Sequence, residues 1–149
     1  MLDTAERERL LRIYTQSRTI AVVGASADAS KAAYHIPRYL QRQGYRILPV
    51  NPRGGEFFGE HVFRSLAEID VPVDVVEVFR PPQEAPAIAR QAIAIGAKVL
   101  WLQMGIVSEE ARQVAEAAGL TVVMDLCMGD THALLGLGPG PSMHEEETR

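Results

Sequence analysis

Short apolar runs rich in β-branched residues alternate with helical patterns along the chain, and Gly or Pro marks nearly every junction. Together these features predict an α/β protein built on a doubly wound, five-stranded parallel sheet with helices on both faces. At 149 residues the chain has the size of one domain and can bury a sizeable core.

The elements follow in order. Asp3-Thr4 caps an N-terminal helix running to Gln16, with Leu10, Leu11, Ile13 and Tyr14 on one side, and this helix is expected to cover an end or edge of the sheet. Thr19 to Val23 is the first strand and stops at Gly24-Ala25-Ser26. After a polar loop over Asp28 to Ala33, Ile36, Tyr39 and Leu40 give the next helix its buried stripe, and Gly44 ends it. Tyr45 to Val50 is strand two. Glu56 to Leu66 reads as a connector with Phe57, Phe58 and Phe63 packed inward, followed by a short helix near Ser65–Ile69. Val73 to Phe79 is strand three; its alternating acids are ones a half-buried strand tolerates near its ends. Pro81 and Pro82 cannot extend a ladder but suit a first helical turn, so Gln83 to Ile95 is a helix closed by Gly96. Ala97 to Leu102 is strand four, Ser108 caps a helix that closes at Gly119, and Leu120 to Met124 is strand five. The architecture is Rossmann-like: a single domain over 1–136 with an extra N-terminal helix. A Gly/Pro-rich and then acidic tail over 137–149 is expected to be disordered.

With 47% hydrophobic and 23% charged residues, the composition is that of a globular protein. No run is long and uninterrupted enough to span a bilayer, and the first residues lack the pattern of an export signal. A lone cysteine, Cys127, excludes an intramolecular disulfide and fits a reducing, cytoplasmic setting. The net charge of −4 argues against a nucleic-acid partner, so an anionic ligand has to be held by local donors and a few arginines.

Those donors collect at one edge. In doubly wound sheets the ligand lies beyond the carboxyl ends of the strands, where the winding reverses. Here that edge carries Gly24-Ala-Ser26, Asn51-Pro-Arg53, Phe79-Arg-Pro81, Gln103-Met-Gly105 and Asp125-Leu-Cys127. Backbone amides of the Gly24 turn, with the positive end of the next helix, form an anion site without basic side chains. Gly24 is expected to let the backbone approach a phosphate, so that Gly24→Val removes binding with the fold largely intact. The fingerprint of a dinucleotide fold is incomplete, with one glycine at Gly24-Ala25-Ser26 and no acid after strand two. Arg53 stands there instead, which suits a nucleotide with an extra ribose phosphate. NADP and coenzyme A (CoA) both meet that requirement.

Val22-Val-Gly-Ala-Ser26, Gly44-Tyr45 to Asn51-Pro52, Ser65-Leu66, Val75 to Arg80, Ala94 to Ile106, Glu109 to Ala111 and Ala118 to Asp125 together resemble the small stand-alone CoA-binding proteins. The resemblance runs over residues 18–136. More distantly, the chain is similar to the N-terminal domain of the succinyl-CoA synthetase α subunit, through Pro52-Arg53-Gly54-Gly55. The resemblance implies that coenzyme A, free or as an acyl-CoA, lies across the strand ends. It places Gly24, Ala25, Ser26 and Lys31 near the phosphates, Asn51, Pro52 and Arg53 at the adenosine end, and Phe79, Arg80, Gln103 and Met104 along the rest. Leu126 departs from the basic residue the family often carries there.

A ligase of the synthetase type needs a domain with a phosphorylated histidine and an ATP-binding partner. Neither is evident, and His35, His61, His132 and His144 show no catalytic or metal spacing. The expected function is therefore CoA binding without catalysis, acting alone, as a homo-oligomer or as the separate subunit of a split acyl-CoA ligase; an NADP-dependent oxidoreductase fragment is the other alternative. A thiol at the end of strand five facing a helix N-terminus can be reactive, which leaves Cys127 as either a nucleophile or a small packed residue.

Overall fold

The computed structural model describes residues 2–139. Five parallel strands form the sheet: β1 (Thr19–Val23), β2 (Arg46–Val50), β5 (Val75–Val78), β6 (Val99–Leu102) and β7 (Thr121–Val123), in the order β2-β1-β5-β6-β7. The winding thus reverses between β1 and β5. A small antiparallel hairpin, β3 (Glu56–Phe57) and β4 (Glu60–His61), lies in the segment expected to be only a connector. The hairpin sends the chain back alongside β2, where Phe63 N–H donates to the Pro49 carbonyl and Asn51 N–H to the Phe63 carbonyl, both at 2.9 Å.

Helices cover both faces. On one, α3 (Ala85–Ala94) and α4 (Glu109–Ala117) bury Ile88, Ala89, Ala92, Ala111 and Ala115 against Val76, Val78, Leu100 and Leu102. The small residues let the two helices pack closely on the sheet. On the other face α1 (Thr4–Gln16), α2 (Ala32–Arg42) and α5 (Met128–Leu134) enclose Ile20, Val22, Ile47, Val75 and Trp101. Asp3 caps α1 by accepting from Glu6 N–H at 2.8 Å. The N-terminal helix belongs to this face instead of an edge. Tyr14 is fully buried 5.6 Å from the Trp101 ring, and its hydroxyl donates to the Met128 carbonyl at 2.6 Å. That bond ties α1 to α5, a helix absent from the sequence reading.

Strand β5 also departs from expectation. It lies at the centre of a sheet covered on both faces, so Glu77, paired in register with Val22 and Trp101, has no exposed surface. Both carboxyl oxygens lack a hydrogen-bond partner among the described residues, and burial pushes the group up to about 8. Of the tail expected over 137–149, residues 140–149 lie outside the described residues, as does His144.

Candidate functional site

At the carboxyl ends of β2, β1 and β5, where the winding reverses, the chain encloses a cleft of about 840 Å³, a size that takes a small organic ligand. Its walls bring together Gly24, Ala25, Ser26, Lys31, Asn51, Pro52, Arg53, Phe79 and Arg80. Gln103 and Met104 are not in it. Gln103 is buried at the end of β6 and accepts from Met128 N–H at 2.8 Å, which fixes the start of α5, while Met104 projects outward.

The turn after β1 is held by its own backbone. Gly24 N–H donates to the Val50 carbonyl at 3.0 Å, and Ser26 N–H to the Ala33 carbonyl at 3.1 Å. The second bond exists because of Pro37: inside α2 proline brings no N–H to the carbonyl four residues earlier, and Ser26 takes that place. Two amides of this turn are therefore engaged within the protein, in contrast to the expected cradle of free donors. Donors that remain for an anion include the uncapped first turn of α2, the Lys31 ammonium and the Ser26 hydroxyl. Lys31 occupies the N-cap of α2 in extended backbone and gives no side-chain cap. Ser26 Oγ accepts from Asp28 N–H at 3.0 Å and still carries a proton to donate. Asp28 itself is held below the usual carboxylate range by the hydroxyl and amide of Ser30.

Gly24 has φ +88°, and a Cβ there would lie 2.9 Å from Arg80 Cδ and 3.1 Å from the Phe79 carbonyl oxygen. The neighbour that requires glycine is thus the end of β5. Arg80 crosses this spot and forms a two-pronged pair with Glu84, Nε–Oε1 3.1 Å and Nη2–Oε2 2.7 Å, which raises the arginine and lowers the acid. Asn51 is a brace between turns. Its amide nitrogen donates to the Ala25 carbonyl and its side-chain oxygen accepts from Arg53 N–H, each at 2.9 Å.

Several lining residues carried no site role in the sequence reading: Arg64, Ser65, Gln83, Glu84 and Ile88. Ser65 stood within a resembling segment; Arg64 gave no signal, because only the return of the chain along β2 puts it at this edge.

Cys127 lies away from the cleft, buried beside Tyr14, Trp101 and Met128. Its Sγ accepts from Asp130 N–H at 3.4 Å, and burial pushes the thiol up, the opposite of what a nucleophile needs. His132 is equally a core residue, 2.8 Å from the Tyr39 hydroxyl through Nδ1. Among the described residues no group of three His, Cys, Asp or Glu could hold a metal ion, and no helix is long and apolar enough to cross a membrane.

The family described as CoA binding domain matches residues 18–133. YneT of Bacillus subtilis strain 168 is 38% identical over 133 residues, 89% of this chain and 98% of that protein. A solved Thermus thermophilus structure superposes with a TM-score of 0.83 at 42% identity, covering 87% of this chain and 98% of that one. Subunit alpha of the ADP-forming acetate–CoA ligase II of Pyrococcus furiosus is 28% identical over 139 residues, but the chain spans only 30% of its length.

Proposed function

This chain belongs to the CoA-binding domain family, and from that premise we propose that it binds coenzyme A or an acyl-CoA in the cleft between the ends of β2, β1 and β5, without catalysing a reaction of its own. The observation that carries this reading is the charge of the walls. Lys31, Arg53, Arg64 and Arg80 line one cleft of a chain whose net charge is −4. Such a local excess of cations suits a ligand with a pyrophosphate and a separate ribose phosphate. The pyrophosphate lies toward Ser26, Lys31 and the N-terminus of α2. Arg53, at the turn after β2, faces the ribose phosphate, with Asn51 and Pro52 shaping that turn. Phe79 and Arg80 border the path of the remaining chain of the ligand.

Calorimetric titration with CoA, acetyl-CoA, 3′-dephospho-CoA and NADPH tests this. The wild-type chain binds CoA more tightly than dephospho-CoA or NADPH. Arg53→Ala weakens CoA roughly 10- to 150-fold, the loss of one charge-assisted contact of ~1.5–3 kcal/mol, with a much smaller change for dephospho-CoA. Tighter binding of NADPH than of CoA, or no binding of CoA at all, overturns the reading. An equal effect on both CoA forms removes Arg53 from the phosphate site.

A second reading, the CoA-binding subunit of a split acyl-CoA ligase, is supported by the similarity to the Pyrococcus furiosus subunit alpha. Co-purification of a separate ATP-binding chain from the native source favours it.

A further inference from the structure

We propose that Arg64 is a second ligand for a phosphomonoester in this cleft and sets its preference for a 3′-phosphorylated nucleotide; the assignment rests on the CoA reading above. Arg64 itself carries no sequence signal of a site. The fold creates one, because the β3–β4 hairpin returns the chain parallel to β2, with Val50 bridged to Phe63. The residue after Phe63 then leaves the sheet edge beside the Asn51–Gly54 turn that carries Arg53.

The guanidinium is held in place there. Its Nη1 donates to the Pro52 carbonyl at 3.3 Å, and it lies over Gly54, where a Cβ would come within 3.2 Å of both Nε and Nη2. Glycine at 54, with φ +66°, leaves the space the fork occupies. The nearby Glu68 carboxylate accepts from the Arg64 backbone N–H at 2.9 Å.

Charge distinguishes this corner from the Arg80 side of the cleft. Arg80 is paired with Glu84, whereas no carboxylate among the described residues pairs with the side chain of Arg64 or of Arg53. Two arginine forks beside one turn, neither with a carboxylate partner among the described residues, suit a group that approaches two negative charges at neutral pH and offers three acceptor oxygens. A phosphomonoester does both, whereas each phosphate of a pyrophosphate diester carries one charge and two terminal oxygens.

The test is the ratio of affinities for CoA and 3′-dephospho-CoA in wild type, Arg64→Ala, Arg64→Gln and Arg64→Lys, with folding checked by circular dichroism. Arg64→Ala and Arg64→Gln each lower the ratio roughly 10-fold or more, the low end of a charge-assisted contact because the site is open to solvent. Glutamine removes the charge and keeps an uncharged polar side chain, so a loss of preference that matches that of alanine reports the charge. Lysine falls between wild type and alanine. Gly54→Ala, which leaves every charge in place but crowds the guanidinium, also lowers the ratio. If the Arg64 variants weaken both ligands equally, or neither, Arg64 only supports the turn and the assignment fails. A wild-type chain that binds neither ligand overturns the CoA reading itself, and with it this site.

Discussion

Glu77→Gln is expected to flatten the pH dependence of stability between about pH 4.5 and 8 and to make the chain on the order of 3 kcal/mol more stable than wild type at pH 7. Glu77 sits at the centre of the sheet with no exposed surface and no partner for either oxygen among the described residues. Its ionised form is strongly disfavoured in the folded chain, so the group stays protonated to about 8 against an ordinary 4.5. Above pH 4.5 the unfolded chain releases this proton and the folded chain keeps it. The folded state then binds more protons, and stability falls as pH rises until the folded group also ionises near 8. The full difference beyond that point is on the order of 5 kcal/mol, a large part of a typical domain's stability. His132 acts in the other direction. Burial holds it below its ordinary 6.5, so the unfolded chain takes up the proton first, and stability falls as pH drops through that value. Urea unfolding across pH 5 to 9 separates the two: the Gln variant keeps only the acid-side loss. A wild-type chain with the same slope as the variant between pH 5 and 8 shows that Glu77 is already satisfied in the folded state.

Glu77 also shows where sequence patterns lose information. Acids alternating with valines read as tolerated near the ends of a half-buried strand, but a strand at the middle of a sheet with helices on both sides has no wet face. The main strands and helices were legible because their periods run over several residues and Gly or Pro stops them. Two-residue strands carry no period, and the hairpin turn at Phe58 and Gly59, with φ of 62° and 70°, is visible only in the backbone. Helix α5 lacked an apolar stripe because its buried face is made of Met128, Gly129, Thr131 and His132. A Cβ on Gly129 would come 3.1 Å from Ile36 Cγ2 of α2, so the glycine that argues against a helix is what lets this one dock. The cleft was legible where its residues directly follow strand ends, as at Gly24, Asn51 and Phe79. It was hidden at Arg64, whose position depends on pairing with β2, and misread at Gln103, where a strand-end amide turned inward to anchor α5.

Gly24→Val is expected to abolish measurable CoA binding and to lower stability by at least ~2 kcal/mol, with the two losses arising from one displacement. At φ +88° a β-branched residue is strained before it touches anything. Its Cβ would then lie 3.1 Å from the Phe79 carbonyl, a backbone atom at the end of β5, and 2.9 Å from Arg80 Cδ. Arg80 is flexible and can swing aside by breaking its pair with Glu84; the Phe79 carbonyl cannot move without parting the ends of β1 and β5, which Phe79 N–H joins at the Val23 carbonyl at 2.9 Å. The walls of the cleft separate along the line where its phosphate end is assembled. Adding Arg80→Ala removes the nearer contact but neither the strain nor the backbone contact, so the double variant stays destabilised relative to Arg80→Ala alone. Thermal unfolding of the four chains, wild type, each single variant and the double, decides the point. A Gly24→Val chain with wild-type stability that still loses CoA would mean that glycine is needed for the ligand's approach and not for the junction with β5.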